Sequence, residues 1–315
     1  HLTSDMARNQ YYKDYSDFLS EHFSGKVQKI TVNAGFTCPN RDGSLGTGGC
    51  TYCNNLSFSP ATGRRGRSVR DQIKDGKRFF GRKYPDMRYL AYFQSYTNTY
   101  GEIDRILSLY DEAISTEDVV GLIIGTRPDC MPDRLLSELA RINRSKPVII
   151  EYGAESSHDS TLALINRCHG WSATVDAVNR TNDAGLPVGL HLILGLPGET
   201  EEMMLETVDR CSALPVGCIK FHQLQIIRGT RLAQDFDNGI IDIRLFDIEE
   251  YISLCAKIVR RLRPDIAIER FVSQSPDELL MAPRWGLKNY EFTHRLFKRL
   301  EETGIRRPSP TDSAR

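Results

Sequence analysis

Six times between residues 27 and 224 the chain runs from a short β-branched or aromatic stretch into a longer polar or amphipathic one, and this alternation is what most narrows the folds open to it. The strand-like stretches are 27–32, 89–93, 119–124, 148–152, 188–194 and 218–224. Helical periodicity begins at Ser68 and recurs over 102–114, 132–143, 160–184 and 201–214. Parallel strands need crossover helices, and those crossovers are right-handed, so the pattern predicts an α/β fold whose parallel sheet curls into a partial (β/α)6 barrel. Such a barrel builds its site at the carboxyl ends of its strands. Polar residues collect there: Gln94 to Thr99 after the second strand, Thr126-Arg127-Pro128-Asp129 after the third, and Glu151 to Ser156 after the fourth. His191 and Gly195-Leu196-Pro197-Gly198-Glu199-Thr200 follow on the fifth, and His222, Gln223 and Gln225 on the sixth. Five such strand ends around the loop that follows the first strand describe a cofactor-lined mouth.

That loop carries Cys38, Cys50 and Cys53. A CxxC pair sets two sulfurs on one metal or cluster edge, and Gly43, Gly46, Gly48 and Gly49 let the backbone fold a third thiolate back to join them. A structural zinc site closes with four protein ligands, and an iron–sulfur cubane held by four thiolates is closed as well. Three thiols leave one corner open, which is the arrangement of a metal centre that does chemistry. The spacing alone also admits a three-cysteine zinc knuckle completed by a distant histidine, or thiols unrelated to metal. Cys130, Cys168, Cys211, Cys218 and Cys255 stand singly in apolar or helical contexts, where cysteine behaves as a small hydrophobe. A thiol centre needs reduced cysteines, and the chain starts without a hydrophobic signal segment, so a cytoplasmic location is expected.

Composition adds two constraints. The chain has 315 residues, 40% of them hydrophobic, and zero formal net charge, which suits one barrel-sized domain with appendages. No apolar run approaches the length of a membrane span, so no membrane partner is expected. The neutral total hides a local excess: residues 64–88 hold ten basic side chains against three acidic ones. Arg64, Arg65 and Arg67 at its start are candidates for gripping RNA phosphates, and a solvated helix face would read the same way.

These residues in this order resemble the radical S-adenosylmethionine superfamily. Over nearly its whole length the chain is similar to the YhcC/YtqA-type branch, related to the Elongator catalytic subunit and coproporphyrinogen dehydrogenase groups. Eleven residues separate Cys38 from Cys50, a departure from the superfamily's commonest CxxxCxxC, but the Cys38-Pro39-Asn40-Arg41-Asp42-Gly43 run and long loop fit the branch. The resemblance implies a partial (β/α)6 radical SAM barrel with a helical carboxyl-terminal extension. It also implies one 4Fe-4S cluster on Cys38, Cys50 and Cys53, with S-adenosylmethionine chelating the open iron. Carried onto this sequence, the backbone at Tyr52 approaches the adenine, and Gln94, Ser95 and Thr97 stand where a Gly-Gly-Glu motif would receive the methionyl amine. Glu151 and Glu155 fall where ribose hydroxyls are held. Arg167, in Asn166-Arg167-Cys168-His169-Gly170, matches an arginine that pairs with the methionyl carboxylate. Gly195 lies in the stretch 189–198 that matches the adenine-contacting motif, and His191 and Gln223 complete the implied cofactor contacts.

The implied reaction is reductive cleavage of S-adenosylmethionine to a 5′-deoxyadenosyl radical, supplied with electrons by a low-potential donor such as flavodoxin or ferredoxin. No side chain is assigned a catalytic role, because the cofactor generates the radical. The branch implies a tRNA substrate, with removal of the carboxymethyl group from 5-carboxymethylaminomethyl uridine at the wobble position. Tyr96, Tyr100 and Trp285 are the aromatics available to stack an extruded base. A radical enzyme acting on a small molecule or peptide, and a zinc-stabilised RNA-binding protein, are the competing readings. The expected organisation is an amino-terminal helical extension (1–26), the barrel (27–265), an extension that closes the barrel and faces substrate (266–304), and a disordered tail (305–315).

Overall fold

A computed structural model describes residues 10–57, 66–82 and 86–307. Helix α1 (Tyr15–His22) leads into β1 (Val27–Val32), α2 (Val69–Gly81), β2 (Arg88–Phe93), α3 (Ile103–Ile114), β3 (Val119–Thr126), α4 (Asp133–Asn143) and β4 (Val148–Glu155). Two helices follow, α5 (Asp159–Leu164) and α6 (Trp171–Asp183), then β5 (Val188–Leu194), α7 (Glu201–Ser212) and β6 (Cys218–Gln223). The remainder is β7 (Ile226–Ile227), α8 (Arg231–Asp237), α9 (Ile248–Arg261), β8 (Ala267–Arg270), β9 (Leu280–Ala282) and α10 (Asn289–Glu302). The strands order as β1-β2-β3-β4-β5-β6-β8 in one sheet, and every neighbouring pair is parallel.

The expected partial barrel is present, with one strand more than the alternation predicts. Strand β8 pairs with β6 through Cys218↔Ala267 and Ile219↔Ile268, so the sheet runs past residue 265, where the barrel was expected to end. Its four residues, Ala-Ile-Glu-Arg, include two charges and carry too little alternation to read as a strand. The helices expected across 160–184 are α5 and α6, separated where Asn166 and Cys168 adopt left-handed backbone and Gly170 caps α6. Residues 305–307, expected to begin the tail, are held in place, with Ile305 packed on the core and the Arg307 backbone N–H donating to Gln10 O (3.1 Å), and residues 308–315 lie outside the described residues.

Curvature is visible in one contact. Lys29 on β1 and Glu269 on β8 come from the two edges of the sheet, yet Nζ and Oε1 are 2.8 Å apart. The outward strand faces, including Ile124, Ile150, Leu190 and Phe221, pack against the helices in the main core. The inward faces are layered. At the amino-terminal end Leu90, Ile123, Ile149, Cys218 and Ala267 meet Tyr15, Phe18 and Phe23, so α1 and its flank plug the bottom of the barrel. Above this apolar layer sits a charged one of Lys29, Tyr92, Glu151, His191, Lys220 and Glu269. The strand ends open above it. At the carboxyl-terminal side α10 packs on α9, and β9 pairs with β7 over the β6 end of the mouth.

Candidate active site

Parallel strands deliver their following loops to one end of the barrel, and here those loops enclose a single cavity. The cysteine loop after β1 is laced across it. Gly49 N–H donates to Asn40 O (2.8 Å), Asn166 Nδ2 to Gly49 O (2.8 Å), Thr51 N–H to Ile165 O (3.0 Å), and Leu232 N–H to Thr51 O (2.8 Å). Arg41 Nη2 donates to Cys53 O (2.8 Å), and Thr97 N–H to Thr37 O (3.1 Å), tying the end of β2 to the same loop. Cys38, Cys50 and Cys53 are free thiols that all line the cavity. Among the described residues no group of three or more His, Cys, Asp or Glu converges on a point for one metal ion. Burial pushes the Cys53 thiol up to about 11, with Cys50 adding to the rise and Arg41 opposing it.

Arg167 lies between β4 and this loop. Its Nη2 donates to Gly153 O (2.5 Å), its Nη1 stands 3.5 Å from Cys50 Sγ, and Glu155 Oε1 is 3.7 Å away. A Cβ at position 153 would sit 2.7 Å from Nη2, so only glycine lets the guanidinium lie across the strand. Glu155, Asn166 and Cys168 around it, and Tyr96 across the mouth, all have positive φ without being glycine. Such backbone is costly and is held only where the surroundings enforce it, which is typical of binding sites. Beside Arg167, Arg127 is 2% exposed and forks onto Asp129 through Nε and Nη2 (2.9 and 2.8 Å). Burial alone would raise the Asp129 carboxyl, but that fork holds it below its ordinary value. Arg127 Nη1 and Arg167 Nε are buried without a hydrogen-bond partner, although both side chains line the cavity.

The floor is the charged layer. Glu151 Oε2 accepts from Tyr92 OH (2.8 Å) and contacts His191 Nε2 (2.7 Å), with Lys220 Nζ at 3.4 Å; Lys29 Nζ is 3.8 Å from Oε1. Lys220 Nζ also reaches Glu269 Oε1 (3.0 Å). Burial would raise the Glu151 carboxyl, yet the two ammonium groups and His191 hold it well below the usual range. Two carboxylates thus balance two lysines. His222, buried beside Arg270, is pushed well below the ordinary histidine value by burial first and Arg270 second. It is a neutral ring at physiological pH.

Of the residues the sequence nominated, Tyr52, Gln94, Thr97, Glu151, Glu155, Arg167, His191 and Gln223 line the cavity with the three cysteines. Ser95 is buried beside it, and Gly195 packs against Phe246 with φ +89°. Glu151 lies in the floor with Oε2 already engaged by three donors, whereas Glu155 faces Arg167 at the rim. Arg64 and Arg65 lie outside the described residues, and Arg67 is paired with Asp75. Of the three aromatics, Tyr96 lines the cavity. Tyr100 OH is bonded to Ser44 Oγ (2.6 Å), and Trp285 packs on Tyr251 and Phe292 with its Nε1 donating to Phe246 O (3.1 Å), fastening α10 to α9. Arg127, Arg270 and the 273–275 segment also line the cavity and were not nominated. Lys29, Glu151 and Lys220 had one shared signal, a charge in the body of a strand legible in the sequence, whereas Glu269 lies on β8, which was not legible as a strand.

A family model described as the radical SAM superfamily matches residues 37–211, and one described as the radical SAM C-terminal domain matches residues 216–302. The uncharacterized protein YtqA of Bacillus subtilis is 34% identical over 93% of this chain and 90% of its own length. YhcC of Escherichia coli is 35% identical over 91% of each. A tRNA uridine(34) acetyltransferase of Methanocaldococcus infernus is 24% identical over 59% of this chain and 34% of its own length. Among solved structures, the archaeal Methanocaldococcus infernus Elp3 superposes with a TM-score of 0.64 over 90% of this chain and 64% of that one, at 18% identity, which shows a shared fold. Among the described residues no helix is long and apolar enough to cross a membrane.

Proposed function

The chain belongs to the radical SAM superfamily, in the branch that includes YhcC and YtqA, and from that premise we propose that its barrel mouth holds one 4Fe-4S cluster and S-adenosylmethionine and acts on a modified uridine in tRNA. The observation that carries the reading is the set of three free thiols on one loop, laced against a buried arginine at the open end of a parallel barrel. The donor chemistry fits the pair. Thiols are the ligands of such a cluster, and Arg127 Nη1 and Arg167 Nε are unpartnered donors suited to an amino-acid carboxylate. Bound together and reduced, cluster and cofactor supply a 5′-deoxyadenosyl radical for hydrogen abstraction at an unactivated carbon.

The chain's own part is to bind, orient and exclude water. Cys38, Cys50 and Cys53 hold the cluster. Arg167 takes the methionyl carboxylate with Arg127 behind it, and Gln94 and Thr97 face the methionyl amine. Glu155, rather than the engaged Glu151, accepts the ribose hydroxyls, and Tyr52 with the β5 end borders the adenine. The apolar plug of Tyr15, Phe18 and Phe23 beneath the ionised layer closes the barrel against water from below. Thiolate ligands and a low-potential donor of the flavodoxin or ferredoxin kind need a reducing compartment, which supports a cytoplasmic location.

The tRNA substrate draws support from the name of the acetyltransferase relative, which acts on tRNA uridine(34), and from Tyr96 at the rim, positioned to stack on an extruded base. The implied change is loss of the carboxymethyl group from 5-carboxymethylaminomethyl uridine. Bulk tRNA arrested at that stage is the test: added to reduced, reconstituted enzyme, it should raise 5′-deoxyadenosine release sharply, with the carboxymethyl group gone from the nucleoside digest. Release indifferent to tRNA would move the substrate to a small molecule or peptide.

A further inference from the structure

Charge accounting inside the cavity leaves two arginines without a carboxylate among the described residues, Arg41 and Arg270, and only Arg270 stands on the β6–β8 wall. Lys29 and Lys220 are balanced by Glu151 and Glu269, Arg127 by Asp129, and Arg167 by Glu155, while Arg41 is spent on the thiol loop through Cys53 O. Arg270, at the end of β8, has no carboxylate within ion-pair distance among the described residues. Its one hydrogen-bond contact is Nη2 to His222 Nδ1 at 3.4 Å, and its Nε is buried with no partner. A half-buried guanidinium lacking a counter-ion is costly, and an anion that enters the cavity relieves the cost.

The surroundings suit a ligand. His222 Nδ1 is also 2.5 Å from Ser273 Oγ, and Gln223 exchanges two hydrogen bonds with the Ser273 backbone (2.6 and 3.0 Å), so the wall around Arg270 is rigid and polar. It stands on the β6–β8 side, in the part of the chain matched by the C-terminal domain family, not beside the thiol loop. We propose that Arg270 is the substrate-anion subsite, receiving a carboxylate of the substrate in the cavity, with His222 and Ser273 positioning the guanidinium. Arg270 brings one positive charge to this wall, which matches a monoanion. A phosphate dianion would leave an excess negative charge next to Glu151 and Glu269.

The carrier of that carboxylate rests on the tRNA reading above, whereas the subsite does not, and the experiment separates them. Cluster-loaded protein with S-adenosylmethionine is titrated with two synthetic anticodon stem–loops that differ only at the wobble base, one bearing 5-carboxymethylaminomethyl uridine and one 5-methylaminomethyl uridine. A charge-assisted pair predicts that the wild type prefers the carboxylated loop by about tenfold or more. Arg270→Gln removes the preference and Arg270→Lys keeps part of it, with circular dichroism confirming that both variants are folded. Equal binding of the two loops by the wild type, or a preference that survives in Arg270→Gln, overturns the subsite. If neither loop binds the wild type, the tRNA reading fails. The subsite is then decided by N-methylglycine against methylamine: a melting shift with the first alone, absent in Arg270→Gln, upholds it, and no shift overturns it.

Discussion

Glu151→Ala should lower the stability of the apo-protein by about 3–5 kcal/mol, because breaking a buried ion pair from one side leaves its partners uncompensated. Glu151 is 2% exposed and Lys220 3%, and with Glu151 gone only Glu269 faces two ammonium groups. Tyr92 and His191 lose their shared acceptor in the same change. The partner substitution sharpens the test. Adding Lys220→Met to Glu151→Ala leaves Lys29 and Glu269 as a neutral pair, so the double variant should recover part of the loss, and the coupling is read from the cycle. The pH dependence has a definite sign. The Glu151 carboxyl is held below its unfolded value, so its contribution is complete above the unfolded carboxyl range, about 4.3, and is lost as pH falls through the folded value. Urea denaturation across that range should therefore show the wild type losing more stability on acidification than the double variant. A Glu151→Ala protein as stable as the wild type would mean that the layer gains nothing from being charged.

Cys50→Ala should abolish iron and sulfide uptake and bring S-adenosylmethionine cleavage down to background, because two thiolates cannot hold a cubane with one open iron. The fold should survive. The loop's place is set by backbone bonds that do not use the thiol, Gly49 N–H to Asn40 O and Thr51 N–H to Ile165 O among them. Cys168→Ser is the comparison: that thiol is exposed and contacts Asn40 Oδ1 (3.1 Å) rather than the cavity, and the variant should take up iron like the wild type. Iron and sulfide content with absorbance near the thiolate-to-iron charge-transfer bands measures both variants. Normal uptake by Cys50→Ala, or loss in Cys168→Ser, would redraw the ligand set.

How much of this was legible before the structure depended on range. Alternating strands and helices carry local signals, so six strands and the polar strand ends could be read from the chain. The seventh strand could not, since Glu269 and Arg270 look like loop residues until Lys29 and Lys220 are brought beside Glu269 from strands far away in sequence. Glu151 shows the same limit: a carboxylate at a strand end is a fair ribose acceptor, and only the convergence of β1, β2, β5 and β6 side chains reveals that its Oε2 is shared by three donors while Oε1 has no hydrogen-bond partner. Trp285 illustrates it for an aromatic, whose environment is fixed by α9 and α10 packing rather than by neighbours in sequence. The thiol loop was legible because three cysteines within sixteen residues form a local pattern. Arg270 was not, because the absence of a counter-ion is a property of the whole cavity.

The most direct measurement of the central claim is anaerobic reconstitution with iron and sulfide, followed by dithionite reduction with S-adenosylmethionine and chromatography. The account predicts about four irons and four sulfides per chain, as for one cubane, with methionine and 5′-deoxyadenosine appearing together in equal amounts. A protein that binds one zinc tightly, takes up no iron–sulfide and leaves S-adenosylmethionine intact would contradict it.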